Sequence, residues 1–444
     1  MKPTNIFSTL ALGMALFVTT PVAAQTADDK VVVYDTNGSI VDEYSCTDII
    51  RIAHDQSKTN IYTHTFGEDI PMEYDNESIG RVEFKFVGDD DVRVDISNVR
   101  LADANANDAA KTLYAYLQYY YGKKIVTSAM ANVNWNTTGA EHVKQITGEY
   151  PAINCFDYIH MPLDGSWVNY SDIKPVTDWA ENGGVVSLMW HFNVPASEAD
   201  YNAKNYDGLT CSPDKTTWTM DNIWTEGSWE NKWFWEQMDK VAENMLKLQD
   251  AGVAALWRPF HEAAGNMLNS QGWTPAAWFW WGTKGGDTYK KLWRTMKEYF
   301  DERGIHNLIW VWTGTAQTAT NYADEAYYPG DDMVDIVGAD CYGSTTEELK
   351  AQYDGLSKLY PSKMITLAEC GNLTENSGSA TIVKKQMPTV SEMWAAGAKF
   401  LYFMPWYDYY YEGGTSTQNN MFPTDYWKDA MQMQSVTMGS WGKK

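Results

Sequence analysis

The chain has 444 residues, a hydrophobic share of 44% and a formal net charge of −24. That length holds one large domain with a small one beside it, and that apolar share excludes a disordered chain. The charge excludes nucleic acid and anionic membrane as partners, since both demand a positive protein surface, and fits a monomer acting on a neutral substrate.

Residues 1–24 read as a signal peptide. Lys2 precedes an apolar stretch from Ile6 to Val18, and Pro21-Val22-Ala23-Ala24 stands before Gln25. The expected location is therefore secreted or periplasmic. No cysteine near the cut suggests a lipid anchor, and no later run is long and apolar enough to span a bilayer.

Residues 25–104 read as a β-rich segment. Within it, Gly80–Val87 and Asp91–Ile96 alternate polar and apolar residues around Gly88-Asp89-Asp90, the pattern of an antiparallel hairpin. A domain boundary is expected near 104, followed by a helix over about Asn107–Tyr121.

From Lys124 onward, apolar runs of strand length alternate with amphipathic stretches. Eight such runs are Lys124–Met130, Cys155–Met161, Val185–Phe192, Ala254–Glu262, Asn307–Gly314, Val334–Tyr342, Lys363–Cys370 and Lys399–Asp408. They are continuous rather than alternating, as parallel strands covered on both faces are. Helices are expected over Lys232–Ala251 and Tyr289–Arg303. The fold class is thus α/β, a closed (β/α)8 TIM barrel over 105–444, with an open doubly wound sheet as the rival. The five cysteines (Cys46, Cys155, Cys211, Cys341 and Cys370) have no metal-site spacing. A disulfide between Cys341 and Cys370 is open on sequence grounds. No metal or cofactor is expected.

Glu262 and Glu369 each close a strand-like run, where a barrel builds its active site. A glycosidase needs one carboxyl to protonate the leaving oxygen and a second on the far side of the anomeric carbon, and these two are the natural pair. The plain alternative is a solvated loop acid or half of an ion pair, with Arg258 close to Glu262 in sequence. His261 precedes Glu262, and alternation along a strand would turn the two side chains apart. His191 ends the third run, Asp340 and Tyr342 the sixth, and Trp406 the eighth. Tyr342 is placed to donate to a carboxylate, and Trp406 to floor a sugar site. The 21 Trp and 28 Tyr include both core rings and rings that stack on sugars, so only part of Trp278-Phe279-Trp280-Trp281 is expected to face substrate.

Trp257-Arg258-Pro259-Phe260-His261-Glu262 followed by Trp278-Phe279-Trp280-Trp281-Gly282 resembles glycoside hydrolase family 26. Trp190-His191-Phe192, Asp340-Cys341-Tyr342, Ala368-Glu369 and Trp406 follow the same pattern, and the resemblance runs from about Asn107 to the C-terminus. It implies a clan A barrel that cleaves β-1,4-mannan, galactomannan or glucomannan in endo fashion by a retaining double displacement. It assigns Glu262 as acid/base and Glu369 as nucleophile. His191, His261, Tyr342, Trp406, Trp278 and Arg258 would bind or orient the substrate and the nucleophile. Asn266–Ala277 reads as an inserted loop. A β-1,3-xylanase or mixed-linkage β-glucanase of the same family, or a non-catalytic glycan-binding barrel, are the alternatives. Val92–Leu101 resembles the closing strand of a β-sandwich carbohydrate-binding module, so residues 25–104 are expected to form part of such a module.

Overall fold

The computed structural model describes residues 30–438 except 46–47, 55–56, 86–93, 266–267, 270–271, 274–276, 316–323, 378–379, 408–422 and 434. The expected signal peptide, the tip of the expected hairpin and most of the expected inserted loop lie outside these residues. Two compact units divide after Val92.

In the first unit, strands Ile40–Ser45, Lys30–Asp35 and Ile79–Lys85 form one antiparallel sheet in that order, and Ile49–His54, Lys58–Thr63 and Gly67–Asp75 form another. Val31, Val32 and Val33 are completely buried because Lys30–Asp35 is the central strand of its sheet. Val31, Val33, Ile61 and Tyr74 make this unit's own small core.

The expected hairpin is corrected here. Ile79–Lys85 is a strand, but its partner is Lys30–Asp35, paired from Lys30 opposite Lys85. Residues 94–96 form no strand. Val94, Ile96, Val99 and Leu101 pack instead in the second unit, beside Leu113, Leu117 and Leu401. The alternation that suggests a strand is satisfied by one apolar face laid on the barrel. The resemblance of Val92–Leu101 to a sandwich's closing strand therefore has no counterpart in the described residues.

The second unit is a closed parallel barrel. Its strands are β1 (Ile125–Met130), β2 (Ile153–Asp157), β3 (Val185–Trp190), β4 (Ala255–Pro259), β5 (Leu308–Thr315), β6 (Ile336–Tyr342), β7 (Met364–Gly371) and β8 (Tyr402–Pro405). Each pairs with the next in sequence, and β8 returns to β1 through Tyr402 opposite Val126 and Phe403 opposite Thr127. Closure leaves the eight strands no open edge. Helix α1 (Asp108–Tyr120) precedes β1, with Asn107 Oδ1 accepting from Ala110 N at 2.9 Å as N-cap. Helices α2 (Thr138–Thr147), α3 (Lys174–Glu181), α4 (Trp229–Asp250), α5 (Gly285–Glu302), α6 (Thr346–Leu359), α7 (Val390–Ala395) and α8 (Thr424–Gln432) alternate with the strands. Between β5 and β6 the described residues hold only a 3-10 turn, Asp324–Tyr327. No helix among the described residues is long and apolar enough to cross a membrane.

Cys155, Cys211, Cys341 and Cys370 are free thiols, and Cys46 lies outside the described residues. Cys341 and Cys370 sit directly opposite one another in the β6–β7 ladder without bonding, so that disulfide expectation is corrected as well. Both are buried in the apolar layer outside the barrel and act there as small hydrophobes.

Candidate active site

The expected strand Ala254–Glu262 ends early, and the early end builds the site. β4 stops at Pro259, and Phe260 and Glu262 take positive φ values of 49° and 53°. Such backbone is strained for a side chain with a Cβ and persists only where its surroundings hold it. Here they do. Tyr289 OH donates to Phe260 O at 2.9 Å, Trp281 Nε1 to His261 O at 2.7 Å, and Glu262 N to Thr313 O at 3.0 Å. Strand alternation therefore does not apply beyond Pro259, and His261 and Glu262 converge rather than diverge.

They converge on Glu369, in β7. Glu262, Asp340 and Glu369 each offer a carboxylate oxygen within 4.8 Å of the others. His261 Nε2 lies 3.8 Å from Glu369 Oε1. Tyr342 OH donates to Glu369 Oε2 at 2.8 Å. Arg258 lies beneath all of these, 1% exposed, with one arm on Asp340 Oδ2 at 3.1 Å and the other on Glu369 Oε1. The expectation that Arg258 touches substrate is thus revised: its guanidinium is taken up by two carboxylates. Three acids so close would suit a cation, but the positive charge inside the cluster is already that of Arg258.

The electrostatics separate the acids. Burial, and then the negative charges of Asp340 and Glu369, hold the Glu262 carboxyl well above the usual carboxylate range. Burial and Glu369 push Asp340 up as well. Glu262 and Asp340 share a hydrogen bond, which requires a proton between them. Arg258 at 3.1 Å favours the ionised form of Asp340, so the proton rests on Glu262. Burial and the nearby Arg258 charge lower His261 well below the ordinary imidazole value, so its ring is neutral.

The remaining expected residues surround this cluster. His191, after β3, gives its Nδ1 to Asp157 Oδ2 at 2.6 Å, and its ring centroid is 4.6 Å from that of His261. Trp406, after β8, lies 5.9 Å from His191 by ring centroid. Trp278 hydrogen-bonds the Glu262 carboxyl through its side chain and stays 36% exposed. Gly265 makes room for it, since a Cβ there would come within 2.0 Å of the indole. Of the aromatic run after β4, Trp280 and Trp281 are buried. Trp278 and the partly buried Phe279 are the two that keep exposure on the site side.

A family model, Glycosyl hydrolase family 26, matches residues 102–430. The chain belongs to glycosyl hydrolase family 26. It is 33% identical over 292 residues to a mannan endo-1,4-β-mannosidase of Thermothelomyces thermophilus, covering 62% of this chain and 53% of that protein. The chain spans about half the length of the curated relatives it matches, as shares of 53%, 45% and 43% show. Among solved structures, the GH26 domain of an endo-β-mannanase/endo-β-glucanase from Prevotella bryantii is 47% identical. It superposes with a TM-score of 0.68, covering 77% of this chain and 98% of that one. A β-mannanase from a symbiotic protist of the termite Reticulitermes speratus, complexed with a gluco-manno-oligosaccharide, is 28% identical with a TM-score of 0.60, covering 79% and 99%.

One residue of this family 26 site, Asp157, is missing from the sequence reading, and Asp340 is named there without its partners. Asp157 looks like one polar position in an apolar run, yet it ends β2 as Glu369 nearly ends β7, and that position was the available signal. Asp340 is visible as a strand-end acid, but its pairing with Arg258 and Glu262 depends on three strands meeting.

Proposed function

We propose that this protein hydrolyses internal β-1,4-mannosidic linkages of mannan, galactomannan or glucomannan with retention of configuration. The observation that carries the reading is the convergence of Glu262 and Glu369 to within 4.8 Å, oxygen to oxygen. Retaining glycosidases hold their two carboxyls about 5–5.5 Å apart, whereas inverting ones leave about 6.5–9.5 Å for a water. The Thermothelomyces thermophilus relative, a mannan endo-1,4-β-mannosidase, supports the substrate class.

In this reading Glu369 attacks the anomeric carbon while protonated Glu262 donates to the departing glycosidic oxygen. Tyr342 and Arg258 hold Glu369 in its attacking orientation and His261 lies beside it. Glu262, now ionised, takes a proton from water, which hydrolyses the glycosyl–enzyme. His191 and Trp406 border the sugar ring and Trp278 lies on the acid's side.

Export is part of the proposal, with the mature chain beginning near Gln25. Protein recovered outside the cell, with its first residue read by mass spectrometry, should depolymerise soluble mannan with a rapid fall in viscosity. Comparable rates of reducing-sugar release from lichenan or β-1,3-xylan, with none from galactomannan and glucomannan, would refute the substrate assignment.

A further inference from the structure

A second aromatic surface stands on the same rim, away from the reacting acids. Trp167 lies in the segment between β2 and α3 and is 60% exposed, the most exposed of the large apolar side chains identified in the barrel unit. Nine other tryptophans of the described chain are almost wholly buried, so its exposure is not the rule for this protein. Nor does it come from a loose loop. The turn carrying it is closed by Gly165 N on Val168 O at 2.9 Å and Ser166 N on Leu163 O at 3.0 Å. Asp164 Oδ1 accepts from Tyr170 N at 2.7 Å, and Tyr170, itself buried, donates its hydroxyl to Asp157 O at 2.8 Å.

His160 backs the indole, with ring centroids 4.5 Å apart at 63°. The His160 ring in turn hydrogen-bonds the backbone of Val133, which follows β1 at a φ of 49°. A β-branched residue at positive φ is a true outlier, and strained backbone gathers at ligand-binding rims. His160 also feels the charge of Asp157, whose carboxylate holds His191. Trp167 thus packs on a histidine three residues past Asp157, the residue whose carboxylate holds His191. A rigid, solvated ring in that position suits the apolar face of a sugar, with little conformational entropy lost on contact.

We propose that Trp167, backed by His160, is a distal stacking subsite for a further sugar of the same polysaccharide chain that occupies the Glu262–Glu369 cleft. The inference rests on the hydrolase reading above and adds chain-length selectivity to it.

The test is kcat/KM for mannotriose through mannohexaose and for a short aryl β-mannoside, in the wild type, Trp167→Ala and Trp167→Phe. Trp167→Ala should lose about fivefold or more on mannohexaose, the scale of one aromatic contact, with the short substrates unchanged. Trp167→Phe should recover most of that loss. Equal activity of Trp167→Ala at every length would overturn the subsite. So would an equal loss at every length, which would mark a structural role; thermal unfolding of the variant would show the same role directly. A wild type inactive on every manno-oligosaccharide would sink the hydrolase reading itself, a separate outcome.

Discussion

Asp340 touches both sides of the proposed reaction, through Arg258 and through Glu262. Its charge is the second cause, after burial, of the raised Glu262 carboxyl. A general acid works only while protonated, so activity falls as pH rises through its pKa. Removing the neighbouring negative charge lowers that pKa, and the alkaline limb must then move to lower pH. Asp340→Asn should therefore shift the alkaline limb of the kcat/KM profile to lower pH, and its deficit relative to the wild type should grow with pH. An alkaline limb in the same place would show that Asp340 does not set the proton on Glu262. Arg258 bears on the same balance. With both arms on carboxylates, it keeps Asp340 and Glu369 from standing buried and uncompensated, a loss that costs about 3–5 kcal/mol when one partner of a buried pair is removed.

At the scale of elements, the segment after β4 does most to shape the cleft. Gly265 lets Trp278 lie against the turn that carries Glu262, and Gly282 lets the aromatic run close on Ala263, whose carbonyl oxygen would be 1.8 Å from a Cβ at Gly282. Gly265→Ala should push the Trp278 indole off Glu262 and cost about fivefold in kcat/KM, the scale of one hydrogen bond between neutral groups. Near-normal kinetics in this variant would show that Trp278 contributes nothing through Glu262. The same element shows where sequence reading stops. All eight strands are legible, because a parallel strand covered on both faces must be apolar throughout. The end of β4 is not, because its cause is a set of hydrogen bonds that Tyr289 and Trp281 donate and the Thr313 carbonyl accepts, all distant in sequence. The convergence of His261 with Glu262 follows from that end and was hidden with it. The hairpin reading fails for a related reason. Alternation reports one apolar face, and Val94 and Ile96 give theirs to the barrel rather than to a neighbouring strand.

On the scale of the whole molecule, a closed ring of eight strands brings residues more than a hundred positions apart onto one rim. β4 supplies Arg258 and leads into Glu262, β6 supplies Asp340 and Tyr342, and β7 supplies Glu369. Which acids meet is a property of ring order, and so the pair was legible once the strands were counted. The ions around the pair were less so, because a buried Arg–carboxylate network leaves no mark of its own in the sequence. The central claim is that Glu369 is the nucleophile of a retaining reaction across the gap from Glu262. The direct measurement uses Glu369→Ala with an activated aryl β-mannoside, with and without azide, products identified by NMR. Loss of turnover, restored by azide with an α-mannosyl azide as product, is the expected result. Full activity without azide, or rescue that yields the β-azide, would contradict it.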